Sequence, residues 1–254
     1  MTNYCKTIGA LAAASALVAG NALAGTPAPV TAPASAPESG IEYELHTGYS
    51  SEYLFRGLNL GDDLVEVGVD ASTEWNGLGL SAGAWYGSFS SPKDDISSDE
   101  LDLYAEVSKD LGFVTAAVGY INYIYPQGGG KDYFDAAGNT QEVYFSLSRD
   151  FGFAAASLTY FWEVDGSIGD YAELGLSRSF EFNSCLTLNV GSNVGFLVSP
   201  NDFTSWTTKV SLDYGFVESA KLSPFVAYSL ALDNNNSSIF ENEFVGGTML
   251  SVSF

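Results

Sequence analysis

The chain has 254 residues, of which 9 are Lys or Arg and 31 are Asp or Glu, and its net charge at pH 7 is −22. This surplus of carboxylates argues against nucleic acid as a partner, because phosphate groups would be repelled. Hydrophobic residues make up 46% of the chain and the mean hydropathy is +0.08, values that are ordinary for a water-soluble protein. A membrane barrel has the same averages, because its lipid-facing and lumen-facing residues alternate and cancel.

The first 24 residues have the three parts of a secretory signal. Lys6 supplies the positive charge, residues 8–19 form a short apolar run, and Ala22-Leu23-Ala24 is an A-x-A cleavage site. We therefore expect residues 1–24 to be a signal peptide that is cleaved on export through the inner membrane. No later segment is long and apolar enough to predict a transmembrane helix.

The next segment, residues 25–40, is rich in Pro, Ala and Ser and has no apolar periodicity. This composition predicts a flexible leader into the folded domain. Removal of the signal peptide would also remove Cys5 and leave Cys185 as the mature chain's single cysteine. We therefore expect no disulfide within the mature chain.

From Ile41 to Phe254, apolar and polar side chains alternate with a period of two. In one such segment Val65, Val67 and Val69 fall on the parity opposite to that of Glu66 and Asp70. Roughly twelve segments reach or approach the ~10 residues that a tilted strand needs to cross a membrane, whereas strands of soluble proteins average ~5–6. The segments are 41–56, 64–75, 78–89, 100–107, 113–125, 143–149, 153–162, 172–180, 186–196, 206–216, 222–232 and 244–254.

The connections between these segments alternate between short and long, which is typical of membrane barrels with short periplasmic turns and long extracellular loops. Asn76-Gly77 predicts a type I′ hairpin turn. The short connections are 76–77, 110–111, 150–151, 183–184 and 217–219. The long ones are 58–62, 91–98, 126–140, 164–170, 199–204 and 233–241.

A weak internal repeat supports this register. The sequence Ser-Lys-Asp-Leu-Gly-Phe at 108–113 reappears as Ser-Arg-Asp-Phe-Gly-Phe at 148–153, and both copies fall at a short turn. Phe113 and Phe153 are then expected at the periplasmic interface, where aromatic residues are enriched.

Inside a bilayer every backbone polar group must be paired, so a sheet can cross only if it closes into a barrel. A soluble barrel with an apolar lumen would show the same alternation, but the strand length, the two sets of connections and the terminal Phe254 favour the membrane. A last strand that ends in Phe resembles the assembly signal of bacterial outer-membrane barrels, which implies the barrel-assembly machinery as a partner. We predict that residues 41–254 form an all-β, closed, antiparallel transmembrane barrel of about twelve strands, surrounded by outer-membrane lipid and lipopolysaccharide.

The first strand contains the motif Tyr49-Ser-Ser-Glu-Tyr-Leu-Phe-Arg-Gly57, followed by Gly61-Asp62. This motif resembles that of the TorF family of proteobacterial porins. The similarity covers about residues 43–162, and the last third of the chain matches by pattern alone. The resemblance implies an outer-membrane porin and brings no substrate and no site residues. Further similar segments are 100–104, 120–126 and 142–144.

The polar face of the strands is the main candidate for function, as the lining of a pore. An excess of carboxylates there would concentrate cations and repel anions. Basic residues are too few to pair with all of the acids, which favours a water-filled lumen over a closed one. The candidates are Glu42, Glu44, His46, Glu52, Arg56, Glu66, Asp70, Glu74, Asp102, Glu106, Glu142, Lys209 and Asp213.

Two of these candidates have specific alternatives. Arg56 near the outer mouth could create a transverse field with facing carboxylates, or it could form a structural ion pair. His46 is the chain's one histidine and lies on the polar parity, whereas a lipid-cleaving triad would need it on the lipid-facing side. We therefore expect no catalytic residues and no enzyme.

An acidic loop near residues 94–100 lacks the spacing of an EF-hand calcium loop, so we expect no metal and no cofactor. The sequence predicts a porin-like channel for small hydrophilic solutes with a mild preference for cations. The alternative is a plugged barrel that serves a structural or adhesive role through its outer loops.

Overall fold

The computed structural model describes residues 40–93, 97–126, 139–164, 169–232 and 239–254. The predicted signal peptide and nearly all of the predicted leader lie outside these ranges, and both remain predictions. Within the described ranges, no helix is long and apolar enough to cross a membrane.

Twelve antiparallel strands form one closed barrel, in which each strand pairs with its neighbours in sequence and β12 pairs with β1. The predicted fold and strand number are confirmed. Closure leaves no free sheet edge, so the ladders pair their backbone groups around the whole ring. The strands are β1 Glu42–Phe55, β2 Leu58–Trp75, β3 Leu78–Ser90, β4 Asp99–Asp110, β5 Thr115–Ile124, β6 Thr140–Asp150, β7 Ala155–Glu163, β8 Tyr171–Asn183, β9 Leu186–Leu197, β10 Asp202–Val217, β11 Ala220–Ala231 and β12 Glu243–Ser253.

The even number of strands places both chain termini at one end of the barrel, which we call the turn end. The five connections there are short, and the opposite end, the loop end, has the longer ones together with a two-residue turn between β1 and β2. Phe254 continues the closure at the turn end, because its backbone N–H donates to the carbonyl of Tyr43 at 2.9 Å.

The two short turns that carry the repeat are alike in detail. Asp110 Oδ1 accepts a hydrogen bond from Gly112 N at 2.7 Å, and Asp150 Oδ1 accepts one from Gly152 N at 2.6 Å. Both glycines have a positive φ, 86° and 81°, which glycine adopts without steric cost. The repeated sequence therefore specifies a repeated turn.

The outer surface of the barrel is a continuous apolar face. Val65 and Leu174 are 56% and 53% exposed, and aromatic residues lie exposed near the turn end, such as Phe113 at 66% and Phe153 at 68%. Exposed apolar patches of this extent are unusual on a soluble monomer. The surface suits contact with lipid, with aromatic residues close to one boundary.

The connection between β1 and β2 differs from the predicted loop at 58–62. That segment belongs to β2, and the turn is Arg56-Gly57, with φ values of 52° and 88°. Asn59 and Gly61 have the composition of a loop, but Asn59 Oδ1 accepts a hydrogen bond from Gly61 N at 3.0 Å while the strand pairing continues. The prediction was wrong because a Gly at the second turn position permits a turn of two residues.

One further predicted loop is shorter than expected, because β10 begins at Asp202, within the predicted loop 199–204. The connection between β3 and β4 is 91–98, as predicted. Asp99 and Glu100 therefore lie in β4, and Glu100 is only 2% exposed. The predicted loop tips at 94–96 and 127–138 lie outside the described residues.

Cys185 lies in the turn between β8 and β9 and is 8% exposed. It is disulfide-bonded in this structure of the precursor chain, which differs from the expected unpaired cysteine. Cys5, the other cysteine, lies outside the described residues and within the predicted signal peptide. The absence of a disulfide in the processed chain therefore stays a prediction.

Candidate functional site in the lumen

The lumen has two halves that differ in packing. The half near the loop end, here the loop half, contains buried aromatic side chains, among them Tyr53, Tyr123, Phe161 and Tyr171, which are 0–6% exposed. The half near the turn end, here the turn half, contains carboxylates and small hydroxyl or amide side chains. The candidate residues are distributed over both.

The loop half is closed by the tip of the β1–β2 hairpin, which folds into the lumen and crosses it. Arg56 at the tip reaches Glu142 on β6, Phe161 on β7 and Tyr171 on β8, the strands that face β1 across the ring of twelve. The pairing of β1 with β2 shifts register between Tyr53 and Leu54, and an irregularity of this kind bends a strand.

Because the hairpin tip is surrounded by the barrel, both of its faces are buried. Tyr53 and Leu54 are 0% and 1% exposed, and Phe55 packs against the aromatic residues of the loop half. In sequence, Tyr53 and Phe55 share the parity of Tyr43 and Leu45, which are both 46% exposed on the outer surface. Alternation indicates an orientation only while a strand stays in the barrel wall, and the hairpin tip leaves the wall.

Arg56 is held on several sides. Its two terminal nitrogens donate to the two carboxylate oxygens of Glu142, both at 2.7 Å. The guanidinium carbon lies 4.7, 4.3 and 4.5 Å from the ring centroids of Phe55, Phe161 and Tyr171. The structure therefore gives Arg56 as a buried ion pair in an aromatic cage, the second of the two alternatives.

One part of this cage lies in the barrel wall and is called here the receiving half; it comprises Tyr123, Glu142, Phe161 and Tyr171. Tyr123 OH donates to Glu142 Oε2 at 2.9 Å, which fixes the carboxylate from the side. Phe161 and Tyr171 pack against each other with ring centroids 6.0 Å apart. Each lies in the barrel wall, so the cage is built without help from a loop.

Other carboxylates of the lumen are also buried, which differs from the expected solvated lining. Glu66 is 5% exposed and accepts a hydrogen bond from Trp85 Nε1 at 2.6 Å. Glu106 is 6% exposed and accepts one from Tyr144 OH at 2.7 Å. Asp102 is 0% exposed, so water does not reach its side chain.

Glycines in the wall let tyrosines lie flat across a neighbouring strand. Tyr144 on β6 reaches Glu106 on β4 across Gly119 on β5, where a Cβ atom would collide with the tyrosine ring. Tyr104 OH reaches Asp70 Oδ1 at 2.5 Å in the same way across Gly83. These bridges cover the wall between β2 and β6 with aromatic rings.

The turn half is more open. His46 Nδ1 lies 3.3 Å from Asp70 Oδ2, and Glu44 Oε2 accepts a hydrogen bond from Ser253 Oγ at 3.3 Å. On the opposite wall, Ser179 Oγ donates to Asn189 Oδ1 at 2.6 Å. Small polar groups of this kind bind water readily and leave room for it.

The remaining candidates fall in different places. Glu42 and Glu74 are exposed at the turn end, and Asp213 on β10 is partly exposed. Lys209 Nζ lies 4.3 Å from the ring centroid of Phe225, and Glu52 is half-buried on β1 towards the loop end. The structure thus gathers the candidates along one inner surface and brings two pairs of them into contact, Arg56 with Glu142 and His46 with Asp70.

Sequence reasoning missed the aromatic part of the site. Tyr123, Tyr144, Phe161 and Tyr171 were not candidates, although Tyr144 shares the parity of Glu142. Aromatic residues on the polar parity were the available signal, because a wide water-filled lumen has little use for buried rings. Within the described ranges, no group of three or more His, Cys, Asp or Glu residues could hold a metal ion.

The fold resembles solved outer-membrane proteins. One is the COG4313 outer membrane channel from Pseudomonas putida F1, with a TM-score of 0.54, 13% sequence identity, and coverage of 88% of this chain and 100% of that one. Another is the NanC porin, with a TM-score of 0.51, 14% identity, and coverage of 83% and 98%. At these identities the likeness shows a shared fold. No curated protein matches the chain in sequence.

A family model described as "Bacterial protein of unknown function (Gcw_chp)" matches residues 34–228. The fold agrees with the outer-membrane barrel that the TorF resemblance implied, but this match does not support the TorF name. The matched range extends from the predicted leader into β11 and so includes most of the barrel. The chain therefore belongs to the Gcw_chp family of bacterial proteins.

Proposed function

We propose that this protein is a porin-like outer-membrane channel for passive diffusion of small hydrophilic solutes, with a closed state imposed by the β1–β2 hairpin. The observation that carries this proposal is the polar turn half inside a closed transmembrane-type barrel. A wall of Ser, Asn and carboxylate side chains would be costly in a dry core and is suited to water. The predicted export signal and the apolar outer face support an outer-membrane location.

The distribution of charge supports a mild preference for cations. Glu42, Glu44 and Glu74 lie near the turn end, where solutes would enter or leave the lumen. Carboxylates that line an aqueous passage raise the local concentration of cations. Small hydrophilic cations and neutral solutes are the proposed cargo, and passive diffusion requires neither a cofactor nor an enzymatic step.

Single-channel recording in a planar bilayer tests this proposal. Purified, folded protein should give discrete conductance steps, and the reversal potential in a salt gradient should show cation selectivity. The double variant Glu44→Gln/Glu74→Gln should reduce that selectivity. The matched control is Glu218→Gln, which removes a carboxylate from the turn between β10 and β11 at the same end. Anion selectivity in the parent protein would contradict the charge argument.

A second candidate function is a plugged barrel with a structural or adhesive role. The buried hairpin tip favours it, because the crossing chain and its aromatic neighbours obstruct the loop half. A folded protein that gives no conductance step at any voltage, even after Arg56→Ala, would favour this function over a channel. Altered migration of unboiled samples on gels would establish that the barrel was folded in these preparations.

A further inference from the structure

We infer that the cage around Arg56 is a recognition site for solutes that carry a guanidinium or a similar planar organic cation. Arg56, which belongs to the same chain, occupies this site in place of the solute. This inference rests on the proposed channel function and adds the substrate class to it. The site comprises Glu142, Tyr123, Phe161 and Tyr171, all in the wall from β5 to β8.

The receiving half of the cage has the chemistry of a cation receptor. A carboxylate provides both oxygens at 2.7 Å to one planar cation, and two wall rings lie 4.3 and 4.5 Å from its central carbon. Paired oxygens match the planar fork of a guanidinium, and aromatic faces attract a cation that has lost its water. A spherical ion would use only part of this geometry.

The occupant, by contrast, belongs to a different part of the chain and is joined to the site by a turn. Arg56 is 86 positions before Glu142 in sequence, and its neighbour Gly57 ends the two-residue turn. Its backbone carbonyl accepts a hydrogen bond from Ser205 Oγ at the long distance of 3.5 Å. The Arg56 side chain thus makes the strongest polar contact between the hairpin tip and the opposite wall.

A free cation that reaches the lumen would compete with Arg56 for the same carboxylate and rings. The tether keeps Arg56 at a high effective concentration, so competition in the parent protein is weak. Loss of the Arg56 side chain should leave a vacant site of matching shape and charge. The same exchange would release the hairpin tip and so couple recognition of the solute to opening of the loop half.

The test uses propylguanidinium, which has the shape of the arginine side chain, and calorimetry on the full folded chain in detergent. Arg56→Ala should bind one equivalent, and the parent protein should bind it at least about tenfold more weakly because of the tethered competitor. Propylurea, which has a similar planar shape and no charge, should bind at least about tenfold more weakly than propylguanidinium. Arg56→Ala/Glu142→Gln should lose the binding.

A control removes an arginine that lies outside the cage. Arg149 lies 5.1 Å from the ring of Phe151 near the turn end, so Arg149→Ala should leave the weak binding of the parent protein unchanged. Arg56→Lys provides a second variant if the alanine variant does not fold. Lysine lacks the planar fork, so this variant should bind propylguanidinium more tightly than the parent protein does.

Equal binding by the parent protein and Arg56→Ala would overturn the inference, because the ligand would then be bound elsewhere. Absence of binding to folded Arg56→Ala would overturn it as well and leave Arg56 with a purely structural role. Neither measurement requires ion flow. If the cage binds propylguanidinium but no variant conducts, the recognition site stands and the channel proposal fails.

Discussion

The two halves of the lumen differ in packing and in access to water, although the same alternating strand pattern forms both. In the loop half, the hairpin tip, the aromatic rings and the carboxylates pack as in the interior of a soluble protein, with Tyr53, Ile121 and Asp102 all at 0% exposure. In the turn half, Glu44, His46 and Asp70 retain access to water. A barrel of twelve strands can therefore be dry at one level and wet at another, depending on which side chains are large enough to meet across it.

The largest change in stability is expected when the Arg56–Glu142 ion pair of the loop half is broken. Glu142→Leu leaves the Arg56 guanidinium buried without its carboxylate, and we expect the free energy of unfolding to fall by about 3–5 kcal/mol. Denaturant titration of the barrel, followed by tryptophan fluorescence, measures this change. Replacing both partners in Arg56→Met/Glu142→Leu should restore much of the loss, because no unpaired charge remains. A double variant as unstable as the single one would contradict this account.

A smaller effect should follow from filling the space beneath a flat tyrosine. Gly119→Ala places a methyl group against the ring of Tyr144 and should separate Tyr144 from Glu106, at a cost of roughly 1–3 kcal/mol. Gly246→Ala is the matched control, since a Cβ there meets nothing within 4 Å. If the two variants are equally stable, the tyrosine bridge does not contribute to the packing of the wall.

The hydroxyl group of that bridge can be tested alone. Tyr144→Phe keeps the ring and removes the donor to Glu106, so the carboxylate loses its partner and stability should fall by about 1.5–3 kcal/mol. Tyr228→Phe, an outward-facing tyrosine that is 46% exposed, should change stability by less than about 0.5 kcal/mol. A similar loss in both variants would show that the effect is general to tyrosine.

The smallest effect on stability is expected in the turn half. Glu44→Gln keeps the shape of a half-exposed side chain whose hydrogen bond with Ser253 is 3.3 Å long, so the free energy of unfolding should change by less than about 0.5 kcal/mol. The same variant should nevertheless reduce cation selectivity in a bilayer. A large loss of stability there would mean that the turn half is packed as tightly as the loop half.

Much of the fold could be predicted from local sequence, because its determinants are local. The twelve strands follow from alternation, the turn at Asn76-Gly77 from residues that tolerate a positive φ, and the matching turns at Gly112 and Gly152 from a repeated motif. Of the candidate site, the sequence indicated Arg56 and Glu142 as residues on the inner face. It also left open an ion pair for Arg56, without naming its partner.

Local sequence specifies a barrel with an apolar exterior and an acidic interior, because alternate residues of a strand lie on opposite faces of the sheet. The inward position of the β1–β2 hairpin, the burial of Tyr53 and the contact of Arg56 with Glu142, 86 positions away in sequence, are visible only in the folded barrel. Such contacts depend on the curvature and diameter of the closed ring. Those are properties of all twelve strands together, and no single segment encodes them.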